Sequence, residues 1–205
     1  MQKNSDIETR SMAIIDRLLP VLDCSEKERQ VVKRIVHATG DPEIASLIKF
    51  EPNAIGAGLA AIRDGRPIYT DVSMVKAGIN KRLAGQFRCS VLCALTEFKQ
   101  VKQVVYGNNT RSAAAFLNLD SKLSKALVVI GNAPTALLAL VGLIDKGIIP
   151  SLVVGMPVGF VQAEESKVEL SRRNIPYITI AGRRGGSPAA VATVNALLRL
   201  ALEVD

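Results

Sequence analysis

The chain carries a single histidine, His37, in the run Val36-His37-Ala38-Thr39-Gly40-Asp41. An imidazole has an ordinary pKa of about 6.5, so one placed against a ligand can give and take a proton near neutral pH. A lone histidine excludes relays built from several imidazoles, and it excludes His-rich metal sites. The end of a helix at this point favours an imidazolium through its dipole, whereas neighbouring Lys33 and Arg34 oppose another positive charge. Taken alone, His37 reads first as a helix cap. Arg34 stands three residues earlier, on the same helix face, and an anion clamp beside an acid is a sensible pairing. Thr110-Arg111-Ser112 reads as a capped helix start with an arginine where acidic residues are preferred. That leaves ligand contact and a solvated side chain equally open. Gly182-Arg183-Arg184-Gly185-Gly186-Ser187 joins two arginines and three glycines to a helix N-terminus, a combination that favours anions.

Composition narrows the chemistry further. The net charge of +7 reads equally as a solubility charge or as the mark of an anionic partner, and with no tryptophan and aromatics at 4% that partner would not be nucleic acid. Base stacking needs aromatic faces, and no basic run here alternates with them. Cys24, Cys89 and Cys93 are few, odd in number and without CxxC spacing, which argues against a disulfide framework or a four-ligand zinc site. Such sparing use of thiols fits a reducing cytoplasm. The polar start, MQKNSDIETR, has no signal-peptide character. Residues 126–144 are uncharged over a length close to a membrane span, but Gly131, Asn132 and Pro134 break their centre. A buried strand turning into a buried helix explains them better, so no membrane association is expected.

The elements that must position these residues are clearest in the second half. Leu127–Ile130, Leu152–Val154 and Tyr177–Ile180 are apolar, β-branched runs, each ending in a glycine turn and followed by a helical pattern. The helices are expected over Pro134–Lys146, Gln162–Arg173 and Pro188–Glu203. Strand–turn–helix units repeated at this spacing mark a parallel sheet wrapped by helices. Further strands are expected at Ile68–Val72 and Ser90–Leu95, and helices at Ser11–Leu19, Asn53–Asp64 and Thr110–Leu119. Ser25-x-x-Glu28 has capping-box spacing and opens a helix that ends near His37. The reading is one three-layer α/β domain over residues 1–205, with about five parallel strands. Ligands should sit beyond the carboxyl ends of those strands, at the turns 131–135, 155–160 and 182–187. Gly56-Ala57-Gly58-Leu59-Ala60-Ala61 superficially matches a dinucleotide fingerprint but follows no convincing strand, and reads as helix packing.

The ordered set of motifs resembles the precorrin-8X methylmutase family of cobalamin biosynthesis, also called cobalt-precorrin-8 methylmutase. The matching pieces are Ile7-Glu8-x-x-Ser11-x-x-Ile14-Ile15, His37-Ala38-Thr39-Gly40-Asp41, Met74-Val75-x-Ala77-Gly78-Ile79 and Thr110-Arg111-Ser112-Ala113-Ala114-Ala115. After these come Gly131-Asn132-Ala133-Pro134-Thr135-Ala136-Leu137, Pro157-Val158-Gly159-Phe160-Val161-x-Ala163-x-x-Ser166-Lys167 and Gly182-Arg183-x-Gly185-Gly186-Ser187. The stretches 95–99 and 108–109 depart from the family pattern. The resemblance implies a flavodoxin-like fold and a homodimeric cytoplasmic isomerase without cofactor or metal. Its substrate would be a tetrapyrrole with several carboxylates, whose methyl group moves from C11 to C12. It assigns His37 as proton donor and acceptor, and Ser11, Arg34 and Arg111 as substrate contacts. Thr39, Gly185 and Gly186 complete the expected substrate-binding set. Two rival readings follow the same residues: a tetrapyrrole carrier without turnover, and an α/β phosphate-binding enzyme using the 182–187 turn.

Overall fold

A strand whose side chains are all apolar has no face to offer to water and must be covered on both sides. In the computed structural model, which describes residues 2–99 and 110–203, six short strands form one sheet. They are β1 (Ile48–Phe50), β2 (Ile68–Thr70), β3 (Val91–Cys93), β4 (Leu127–Ile130), β5 (Leu152–Gly155) and β6 (Tyr177–Ile180). The central strands β4 and β5 are buried at every position. The spatial order is β1-β6-β5-β4-β2-β3, with β2 to β6 parallel throughout. Counted among themselves, the five parallel strands stand in the order 2-1-3-4-5, the doubly wound flavodoxin-like arrangement. These are the five parallel strands expected from the sequence.

The helices, in chain order, are α1 (Gln2–Leu18), α2 (Glu26–Thr39), α3 (Ala54–Arg63), α4 (Ser73–Gly78) and α5 (Lys81–Gln86). They continue with α6 (Ala94–Lys99), α7 (Arg111–Leu119), α8 (Pro134–Ile144), α9 (Ala163–Ser171) and α10 (Ser187–Leu200). Two apolar cores lie on the two faces of the sheet. Leu127 and Val129 point into one, with residues of α1 to α5 and α10; Val128 and Ile130 point into the other, with α6 to α9. Alternate strand residues therefore feed alternate layers.

Several details differ from the sequence reading. A sixth strand, β1, runs antiparallel beside β6, with Ile48 opposite Ile180. Its three residues, Ile-Lys-Phe, are too few to give a pattern, and exposed Lys49 at its centre suits a sheet edge. The strand expected over Ser90–Leu95 is limited to Val91–Cys93, because α6 starts at Ala94. α1 starts well before Ser11. The glycines at 56 and 58 do lie in a helix, and a Cβ on Gly58 would stand 2.8 Å from Leu152, so close packing explains that residue. The uncharged stretch 126–144 is β4 followed by α8. Among the described residues, no helix is long and apolar enough to cross a membrane. Asn108 and Asn109, which depart from the family pattern, lie outside the described residues.

Candidate functional site

Helix α2 presents His37 through ordinary helix chemistry. Ser25 caps its start: the Ser25 hydroxyl accepts from the Glu28 amide at 3.3 Å, and the Glu28 carboxylate accepts from the Ser25 amide at 2.7 Å. Gly40 closes its end at φ 66°, donating its amide to the Val36 carbonyl. Val31, Val32, Ile35 and Val36 fill the core and fix the rotation of the helix. Arg34 and His37 are left on its outward side, one turn apart. The imidazole Nδ1 lies 3.0 Å from the hydroxyl of Ser11, brought in by α1. Nε2 has no partner among the described residues. A hydroxyl can donate or accept, so Ser11 supports the ring in either protonation state. When it accepts from Nδ1–H, Nε2 is the nitrogen that exchanges a proton.

His37 and Arg34 line an open groove of about 320 Å³ between α2 and α10. Pro188, Val191 and Ala192 make its apolar side, and Arg199 stands at the far end. The groove is deep-rooted: a Cβ on Gly78 would meet Val191 at 2.7 Å, and the Asn195 side chain bonds the Gly78 carbonyl and the Asn80 amide. Glu8, one turn before Ser11 on α1, accepts from both Arg34 and Arg199 on a single oxygen. Those two guanidiniums, Arg34 foremost, hold its carboxyl below the usual range. The site is thus an acid–base imidazole beside cationic donors and an apolar wall. Such a set suits an anionic ligand with an apolar face that can exchange a proton with the imidazole.

The remaining expected site residues are dispersed. The Thr39 hydroxyl donates back to the Ile35 carbonyl at 2.9 Å and does not line the groove. Gly185 and Gly186 form the turn leading into α10, just before Pro188. A Cβ on Gly185 would fall 2.4 Å from the Met156 carbonyl oxygen, which receives the Gly186 amide at 2.8 Å. Glycine there is required by the backbone's close approach. Arg111 is exposed in the first turn of α7, in the opposite helical layer from His37, with Thr110 capping the helix. In that layer Thr110 also meets Thr135 at 2.7 Å, oxygen to oxygen. The Arg183 guanidinium lies over the Phe160 ring, 5.7 Å from its centre.

Of the three turns expected to hold ligands, the one after β4 is already filled. Asp71, at the end of β2, is fully buried and accepts from the amides of Gly131, Asn132 and Ala133 at 3.2, 2.7 and 2.8 Å. It also accepts from Val72. Burial raises its carboxyl above the usual range and these four N–H bonds offset part of that rise; both oxygens accept from backbone donors, which favours the anion. Asp71 therefore takes the anion-binding amides at the point where strand order reverses, a site that doubly wound sheets often offer to ligands. The groove at His37 lies instead on the outer helical layer. Asp71 and Arg199 lie in none of the motifs, and Glu8 stands in the Ile7-Glu8-x-x-Ser11 motif without a role assigned to it. Glu8/Ser11 and Arg34/His37 do share a three-residue spacing, which is the one signal that α1 and α2 pair residue for residue.

The model of the family described as CbiC, precorrin-8X methylmutase, matches residues 6–200. The cobalt-precorrin-8 methylmutase of Leptospira interrogans is 39% identical, covering 95% of this chain and 93% of that protein. The precorrin-8X methylmutase of Pseudomonas aeruginosa is 43% identical, covering 80% of each. Among solved structures, precorrin-8x methyl mutase from Thermus thermophilus is 41% identical, with a TM-score of 0.87 over 95% of this chain and 96% of that one.

Proposed function

This chain belongs to the precorrin-8X methylmutase family, and on that premise we propose that His37 drives a methyl migration from C11 to C12 of a corrin-type macrocycle. The substrate is precorrin-8X or its cobalt-containing counterpart, and the product hydrogenobyrinic acid or cobyrinic acid. The observation that carries the reading is the Ser11–His37 pair opening onto a groove lined by Arg34. Ser11 accepts from Nδ1–H, and Nε2–H gives its proton to a ring nitrogen. The cationic macrocycle has less electron density in its conjugated system, which lowers the barrier to the [1,5] shift. The methyl group leaves C11 as it bonds to C12, and Nε2 then recovers the proton. No atom is gained or lost, so the step needs neither nucleophile nor external reductant.

Substrate contacts on this reading are Ser11, Arg34, Thr39, Gly185, Gly186 and Arg111. Arginines bind carboxylates through two parallel donors, which suits a ring edged with acetate and propionate arms. The enzyme's other task is to hold one reactive conformation. The groove is open and much smaller than a tetrapyrrole, which supports a homodimer in which a second copy covers it. Exposed Ile7, Ile14 and Leu18 form an apolar stripe on α1 for such a contact. The second copy would also supply an Arg111, since a copy's own Arg111 sits on its opposite layer. Three free thiols, two of them buried, fit a cytoplasmic enzyme.

The test is to mix the protein with precorrin-8X and follow visible absorption together with mass. A chromophore shift at unchanged mass is expected. A stable complex without rearrangement of either precorrin-8X or its cobalt-containing counterpart would make the protein a carrier.

A further inference from the structure

We propose that Arg34 and Arg199, braced by Glu8, form a two-armed clamp for one carboxylate arm of the substrate. Arg199 is then a substrate-binding residue and Glu8 its positioning residue. The proposal rests on the preceding reading of the His37 groove and adds to it where the macrocycle is anchored.

The charge ratio at this spot is the first observation. Arg173 is met by two carboxylates, Asp145 and Glu169, and Arg184 by Asp41 and Glu43. At the groove the ratio is inverted: two guanidiniums share the one carboxylate of Glu8. Two like charges this close repel unless an anion lies between them, so Glu8 is what allows both arginines to face the same space. The trio keeps one net positive charge, which is the charge that a single carboxylate neutralises. Asp16 shares its carboxylate similarly between Arg29 and Lys33, but none of these three side chains lines the groove.

The donor geometry is the second observation. Both arginines reach Glu8 through Nη1, and both meet the same oxygen, Oε1. Their Nε and Nη2 donors have no partner among the described residues, and both side chains line the groove. A guanidinium held by one nitrogen still offers a two-pronged edge to a carboxylate. The third observation is register. Glu8 and Ser11 are three residues apart on α1, as Arg34 and His37 are on α2, so the clamp lies one turn, roughly 5 Å, from the imidazole. An arm on the rim of a macrocycle gripped there brings the ring itself to His37. A purely structural role for the trio explains less, because Glu8 and Arg199 are both about half exposed and such ion pairs contribute little to stability.

The experiment compares wild type with Arg199→Met, Glu8→Gln and His37→Ala. Affinity for the corrinoid product is read by visible-absorption titration, KM and kcat by turnover, and folding by thermal midpoint. Arg199→Met should weaken product binding and raise KM by about 10- to 100-fold, with the greater share of the loss in KM. Glu8→Gln should raise KM by about 3- to 10-fold, and both variants should keep the wild-type midpoint within about 2 °C. Wild-type KM and product affinity in Arg199→Met, with turnover lost in His37→Ala, would overturn the clamp and leave the reading of the groove intact. A lowered midpoint with unchanged KM in Glu8→Gln would make the trio a structural brace only. Failure of wild type to bind product or convert substrate would overturn the reading and the clamp together.

Discussion

His37 and Ser11 meet through a single hydrogen bond, and the chemistry proposed for the groove depends on it. Removing the hydroxyl leaves Nδ1 without its partner and the ring free to turn, so Ser11→Ala should lower kcat by about 10- to 100-fold. Ser11→Thr, which keeps the hydroxyl, should recover most of the loss, and steady-state turnover of the pair decides the matter. Asp71 offers a second test at this scale. Asp71→Asn keeps the shape but sets an amide N–H₂ against backbone donors. The expected cost is about 2–4 kcal/mol in denaturant unfolding, since buried donors lose their acceptor. As residues, His37 stood out by being alone of its type, Arg34 by sharing its helix face and Arg111 by standing in a helix's first turn, whereas Ser11 came only through the resemblance. Asp71 was hidden because, apart from the adjacent Val72 amide, its partners lie 60 to 62 positions away.

The elements around the site were legible in proportion to how much pattern they carry. Strands β4, β5 and β6 are continuous apolar runs ending in turns, and the capping box at Ser25 marks the start of α2 to the residue. The edge strand β1 and the short helices α4, α5 and α6 hold three to six residues each, too few for periodicity to show. Helix α9 supplies a test of its own. Its Lys167 is buried and donates to the Arg184 carbonyl at 2.8 Å, tying α9 to the glycine turn. Burial lowers the Lys167 pKa from 10.5 to about 8, against an upward pull from Glu164 one turn away. The folded protein then binds this proton more weakly than the unfolded chain, so the burial cost is present at neutral pH and fades as pH rises from about 8 to 10.5. Across that window wild type should gain on the order of 2 kcal/mol relative to Lys167→Met, measured by urea unfolding. Parallel curves for the two proteins would show that Lys167 carries no such penalty.

At the scale of the whole molecule, the 2-1-3-4-5 order of parallel strands is the frame many nucleotide and phosphate binders use, with ligands where the order reverses. Here Asp71 fills that position, and the groove moves to the outer side of α2 and α10. Repeated strand–turn–helix units made the frame readable from the sequence. The relocation was not readable, because it depends on how α1 crosses α2 and on which layer each helix joins. Arg111 shows the same thing: its position in the chain gave no sign that it lies across the sheet from His37. The expected consequence is selectivity. Inorganic phosphate or ATP should shift the thermal midpoint by less than about 1 °C, whereas the corrinoid product at about 100 times its Kd should stabilise by about 2.7 kcal/mol. A large shift with ATP would return the 182–187 turn to consideration as a phosphate site.

In the proposed mechanism a proton carried by His37 drives the methyl migration. The most direct measurement is turnover of precorrin-8X by wild type and His37→Ala, followed by absorption at constant mass, with product titration of both. His37→Ala should bind product within a few-fold of wild type and rearrange substrate at least about 100-fold more slowly. Equal turnover by the two proteins would contradict it.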